Sequence, residues 1–250
     1  GDAARGWQLL PAPAEAAAAP GARVSASATV FRGVVYLFGG QQRGGMPLDD
    51  LWALSGADTE TPTVTAAWRR LRVKGAAPAG RYEHAAAVVV DVEADAAHAA
   101  GPAGARSGDG SRLVVHGGRG ASGAAMADMW AFHFASEHWT KLAEITPAGV
   151  RFGHAAAAPP GVRPAAGGLP RLYLFGGVVQ AVGPGAAGLR RAPTGSATSS
   201  LFECNAATGA CEDISFGCAP SSADSAGADF MPAALGPRYG HAVAATDLEV

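Results

Sequence analysis

Residues 34–40 read VVYLFGG, and the phrase returns as LVVHGG at 113–118 and LYLFGG at 172–177. Each is a short run of β-branched, aromatic and Leu residues closed by two glycines. Such a run favours a half-buried strand, and a Gly pair allows the sharp change of direction that ends it. An apolar run precedes each phrase: ATV at 28–30, AAAVVV at 85–90 and AAAA at 155–158. A third segment follows each, DDLWAL at 49–54, ADMWAF at 127–132 and SSLFEC at 199–204. A fourth reads WRRL at 68–71, WTKL at 139–142 and CEDI at 211–214. Connection lengths differ, but the order of the elements does not. A fixed order at this scale marks a repeat architecture with four strands per unit.

The segment before each first strand is GRYEHA at 80–85, VRFGHA at 150–155 and PRYGHA at 237–242, with a degenerate ARVSAS at 22–27. The order Arg-x-x-His, strand, Gly-Gly, Leu/Met-Trp and Trp-x-x-Leu resembles the kelch repeat over essentially the whole chain. That resemblance implies an all-β fold, a kelch-type β-propeller with four antiparallel strands per blade. Its structural repeat positions are Gly39, Gly40, Trp52 and Trp68; His84, Gly117, Gly118, Trp130 and Trp139; His154, Gly176 and Gly177; and His241. Some positions depart from the pattern. Ala26 replaces the His, His116 stands where Phe38 and Phe175 precede their Gly pairs, and Phe202 and Cys211 replace tryptophans.

Blade 1 is expected over 23–71, blade 2 over 81–142 and blade 3 over 151–214. Residues 7–10 (WQLL) match only the last strand of a preceding blade, and 238–250 only the first strand of a following one. Three complete blades with flanking remnants predict a segment of a larger propeller. Its open edges would be covered by the remainder of the ring or by self-association. The connections 41–49, 119–127 and 178–199 are expected as loops on one face.

Composition narrows the function classes. Leu, Ile, Val and Phe make only 46 of 250 residues, while Ala alone makes 59. The net charge of -2 is too small for an acidic disordered chain, and 19 Lys plus Arg against 21 Asp plus Glu do not suit a nucleic-acid binder. No apolar run reaches the roughly 18 residues of a membrane span. Residues 1–30 carry no signal-peptide pattern, which points toward an intracellular setting.

No residue set asks for catalysis. GRGASG at 118–123 matches G-x-G-x-x-G, but a strand rather than a helix follows it. His84, His154 and His241 lack the accompanying Cys or carboxylate spacing of a metal site. The bland expectation is that each repeat His or Arg ties down its own blade through neighbouring backbone. Asp91, Glu93, Asp95 and His98 lack the Gly and distal Glu of a calcium loop. Copper oxidases on kelch-like propellers need a Tyr, Cys and His constellation, whereas the tyrosines here fill repeat positions. Neither a cofactor nor a metal is expected.

Cys204 and Cys211 flank NAATGA, a turn-like stretch that would place them opposite each other. A cross-strand disulfide is one reading, and it would suggest an oxidising compartment. The other is a buried thiol at a core position, and with a disulfide Cys218 would be left over. Arg supplies 17 of the 19 basic residues, and it suits planar recognition of carboxylates. Arg43, Arg119, Arg190 and Arg191 fall on the expected loop face, and Arg81, Arg151 and Arg238 enter inner strands beside it. These seven are the candidate ligand-binding residues. The expected function is a non-catalytic protein-interaction scaffold, with an acidic peptide as a suitable partner. A carbohydrate- or small-molecule-binding extracellular propeller, attached to an enzyme, is the alternative.

Overall fold

A computed structural model describes residues 19–56, 66–73, 75–90, 110–159, 170–180 and 195–215. Arg190, Arg191, Arg238, His241, Cys218, the acidic 91–98 stretch and the two expected strand remnants lie outside the described residues. The described chain contains strands and no helix. The first sheet is formed by β1 (Ser27–Phe31), β2 (Val34–Phe38), β3 (Leu51–Ser55) and β4 (Ala67–Leu71), antiparallel in that order. The second repeats it with β5 (Ala85–Val89), β6 (Arg112–His116), β7 (Met129–His133) and β8 (His138–Ala143).

A short strand, β9 (Arg151–Phe152), leads into β10 (Ala155–Ala157) and β11 (Arg171–Phe175). Two more short strands, β12 (Val178–Gln180) and β13 (Gly195–Ala197), come before β14 (Leu201–Asn205) and β15 (Cys211–Asp213). The third four-stranded sheet runs β10-β11-β14-β15, and β13-β12-β9 form a small sheet of their own.

That small sheet corrects the expectation of a loop over 178–199. In the first two sheets the residue after the Gly pair makes one bridge to the residue after the repeat Arg, Gln41 to Val24 and Arg119 to Tyr82. A tight turn then closes the hairpin, Gln41 to Pro47 and Arg119 to Ala125. In the third, Val178 pairs with Phe152 and Val179 with Arg151, so the bridge lengthens into a ladder. The β-branched pair Val178 and Val179 favours extension, and the longer connection leaves room for β13 to pair as well.

Side chains alternate across a strand, and β6 shows what this does for packing. Leu113 and Val115 join Phe38, Leu51, Trp130, Phe132 and Trp139 in one apolar cluster between the first and second sheets. Val114, on the opposite side of β6, joins Leu172, Leu174, Phe202 and Cys204 in another between the second and third. The second sheet is thus buried on both faces, which is why β6 reads as an unbroken apolar run. Leu113, Val114 and Val115 are all essentially inaccessible to solvent. Among the described residues no helix is long and apolar enough to cross a membrane.

Candidate functional site

The Arg-x-x-His segments do not lie free at the edge of the sheets; they join one sheet to the next. The Arg81 amide donates to Leu48 O, and the Arg81 carbonyl accepts from Gly40 N, both in the first sheet's connections. Arg151 repeats this one sheet later, donating to Met126 O and accepting from Gly118 N. The glycines are required here. A Cβ on Gly39 would sit 2.6 Å from Arg81 O, and one on Gly117 would sit 2.6 Å from Arg151 O.

While its backbone belongs to the preceding sheet, the Arg side chain turns into its own. Arg81 donates through Nη1 to Gly117 O at 2.9 Å, and through both Nη atoms to the Asp128 carboxylate at 2.8 and 2.9 Å. Trp130 Nε1 donates to the same carboxylate at 2.7 Å. Burial alone would raise the Asp128 pKa, but the hydrogen bonds from Arg81 and Trp130 outweigh it and hold it below the ordinary value. Arg23, Asp50 and Trp52 form the same triplet in the first sheet. In the third sheet Ser200 and Phe202 replace Asp and Trp together. Arg151 keeps its bond to Gly176 O at 3.1 Å, and its guanidinium lies 4.8 Å from the centre of the Phe202 ring.

This placement corrects two candidate ligand contacts. Arg81 and Arg151 are 0% and 2% exposed, so their guanidinium groups serve the inside of the molecule. The sequence signal for it is Asp-x-Trp at 50–52 and 128–130.

The histidines behave differently from the expectation that each ties down its own unit. His84 Nε2 is hydrogen-bonded to Ser27 Oγ in the first sheet at 2.8 Å, and its ring meets Phe38 edge-on. His154 Nε2 is bonded to His116 Nδ1 in the second sheet at 2.8 Å, and His116 Nε2 to Thr146 Oγ1 at 2.8 Å. Arg therefore braces its own sheet and His the one before. Burial, reinforced by Arg81, pulls the His84 pKa down to about 3. Burial, then Arg151, does the same to His116, against the opposing pull of Asp128, again to about 3. Both rings are neutral at pH 7. No three His, Cys, Asp or Glu side chains among the described residues group as a metal site would need.

Among the described candidate arginines, Arg119 stands beside two aromatic rings with its side chain partly exposed. Its guanidinium lies 4.7 Å from the Phe152 ring and 5.7 Å from the Tyr82 ring, with the side chain 21% exposed. Nε donates to Gly123 O at 2.9 Å, which fixes the side chain to its own hairpin. The Glu83 carboxylate is 3.7 Å from Nη1, outside hydrogen-bond range. The hairpin is itself held from the small sheet, where Gln180 Oε1 on β12 accepts from Ala125 N at 2.9 Å. Arg43 sits exposed on the equivalent turn of the first sheet. Tyr82 and Phe152 occupy the position after the repeat Arg, which is Val24 in the first unit.

Cys204 and Cys211 are directly opposed on β14 and β15 and form a disulfide. Asn205 N donates to Ala210 O next to them, so the cysteine pair occupies a non-hydrogen-bonded position, where side chains are closest. Compared with models of known protein families and with curated protein sequences, the chain matches none.

Proposed function

We propose that the three sheets are blades of a kelch-type β-propeller, part of a larger ring, and that the chain is a non-catalytic protein-interaction scaffold. What supports the propeller reading is the recurrence of one joint: Arg backbone in the preceding sheet, Arg side chain in its own, His reaching back. Repeats of this kind bury their hydrophobic faces only against neighbours, and the two apolar clusters between consecutive sheets fit that logic.

The binding reading rests on Arg119. Its guanidinium is flanked by Phe152 and Tyr82 and partly open to solvent. Aromatic flanking limits the conformations of a guanidinium before binding, and its planar fork matches a carboxylate. The partner of this reading is an acidic peptide or an acidic loop of another protein. Arg43 adds positive charge on a neighbouring turn. An array of acidic, neutral and basic synthetic peptides, probed with the wild-type chain and with Arg119→Ala, tests the idea. The wild type should favour acidic sequences and the variant should lose that preference. An unchanged pattern would remove Arg119 from the binding surface.

One observation favours a second reading. The Cys204–Cys211 bond suits an oxidising compartment, where a carbohydrate or small molecule would be a natural ligand for Tyr82 and Phe152. A glycan array probed in parallel separates the two readings.

A further inference from the structure

The joint between the second and third sheets is built differently from the one between the first and second. In the first two sheets the buried Arg faces an Asp two residues before a Trp, and a cation stands across from that Trp on the outermost strand. Arg70 is opposite Trp52, and Lys141 is opposite Trp130, with Nζ 5.1 Å from the ring centre. In the third sheet all three positions change together: Ser200 for Asp, Phe202 for Trp, and Asp213 for the cation. The negative charge has moved from the connection before β14 to the outermost strand. Asp213 is directly opposite Phe202, so the two side chains leave the same face of the sheet, and Arg151 lies over that ring. The carboxylate is already held down by its bonds to Ser215, and Arg151 lowers it further.

The strand that carries Asp213 is also the one held covalently. Leu54 faces Trp68 and Phe132 faces Trp139 in the other two sheets, each pair binding the outermost strand through an apolar contact. The equivalent pair in the third sheet is Cys204 and Cys211. Two thiols would bury far less surface than a Phe–Trp pair, so the bond does what the aromatic contact does elsewhere. β15 has only the three residues Cys211–Asp213, two of them exposed.

We propose that Asp213 is the counter-charge of Arg151, and that reducing the Cys204–Cys211 disulfide frees β15 and thereby unclamps the joint between the second and third sheets. The reductant is a dithiol. One of its thiolates attacks Cys211 Sγ, the more accessible sulfur, and the S–S bond breaks with Cys204 leaving as a thiolate. The second thiol of the reductant then displaces the mixed disulfide. Two electrons and two protons pass to the cysteines, and the reductant leaves as a cyclic disulfide. The joint between the first and second sheets has no such release, because Asp128 lies outside the outermost strand. The proposal concerns the joint alone and does not depend on what Arg119 binds.

Matched amides report on the two joints. Arg151 N and Gly153 N donate into the second sheet, to Met126 O and Glu83 O; Arg81 N and Glu83 N donate into the first, to Leu48 O and Ser25 O. Hydrogen exchange of the chain with and without dithiothreitol should show the Arg151 and Gly153 amides accelerating by about tenfold or more on reduction. The Arg81 and Glu83 amides should change by less than about twofold. In the oxidised protein, Asp213→Asn should accelerate the same two amides while mass spectrometry shows the disulfide intact. A Cys204→Ala, Cys211→Ala chain should show no response to the reductant. Unchanged exchange at Arg151 and Gly153 on reduction would overturn the proposal. So would equal acceleration at Arg81 and Glu83, which would mean general unfolding. Asp213→Asn without effect on those amides would overturn the role of Asp213.

Discussion

The fully buried Arg81 guanidinium meets the Asp128 carboxylate in two parallel hydrogen bonds, 2.8 and 2.9 Å long. The two residues are brought together across the second sheet, and Trp130 shares the carboxylate. Removing one member of a buried pair leaves a charge with no partner and costs more than the pair itself contributes. Asp128→Asn should therefore lower stability by about 3–5 kcal/mol. Urea denaturation measures it, and a loss below about 1 kcal/mol would place the pair in the class of exposed ion pairs.

Gly117 and Gly149 offer a contrast between conformation and contact. Gly117 and Gly149 have φ of 62° and 78°, so alanine is disfavoured at both. At Gly149 the new Cβ would meet nothing within 4 Å, whereas at Gly117 it would lie 2.6 Å from Arg151 O. Gly149→Ala should cost about 1–2 kcal/mol and Gly117→Ala about 2–5 kcal/mol, the difference being the clash at the joint. Equal losses would mean that the joint yields freely.

Acid should weaken the protein before its carboxylates titrate. His84 and His116 have pKa values near 3 in the fold, against an ordinary 6.5. Between those values the unfolded chain binds protons that the folded chain refuses. Stability is therefore complete above pH 6.5 and falls as the pH drops toward 3, by about 1.4 kcal/mol per pH unit for each histidine. Urea midpoints at about pH 7.5, 6 and 5 should decline steadily. A flat profile over that range would contradict burial of neutral imidazoles.

The strands were legible in the sequence because each carries its own signal. VVYLF at 34–38 and LVVH at 113–116 are β-branched or aromatic runs ended by Gly pairs, and the register follows from matching apolar faces. Even Cys204 and Cys211 could be set opposite each other from the length of the turn. The role of the arginines was not legible. Arg81 and Arg119 are the same residue type near the same face, yet one has an Asp at 2.8 Å and the other an aromatic ring at 4.7 Å. That difference is set by Asp128, 47 residues from Arg81, and by Phe152, 33 residues from Arg119. Only a packed arrangement of sheets brings such positions together. The strands β12 and β13 were missed for a related reason. Val178 and Val179 favour a strand but find their template only in Arg151 and Phe152, while β13, a Gly-Ser-Ala stretch without strand propensity, pairs only because β12 is beside it.

Arg81 holds two sheets together from a buried position, whereas Arg119 is partly exposed between two aromatic rings and is the residue proposed to meet a partner. Urea denaturation of Arg81→Ala beside Arg119→Ala tests that division most directly. Arg81→Ala should lose about 3 kcal/mol or more, because Asp128 is left partly buried without its cation. Arg119→Ala should lose no more than about 1 kcal/mol, since Glu83 lies 3.7 Å away, beyond hydrogen-bond range, and both side chains are partly exposed. Comparable losses, or a larger one at Arg119, would contradict the account.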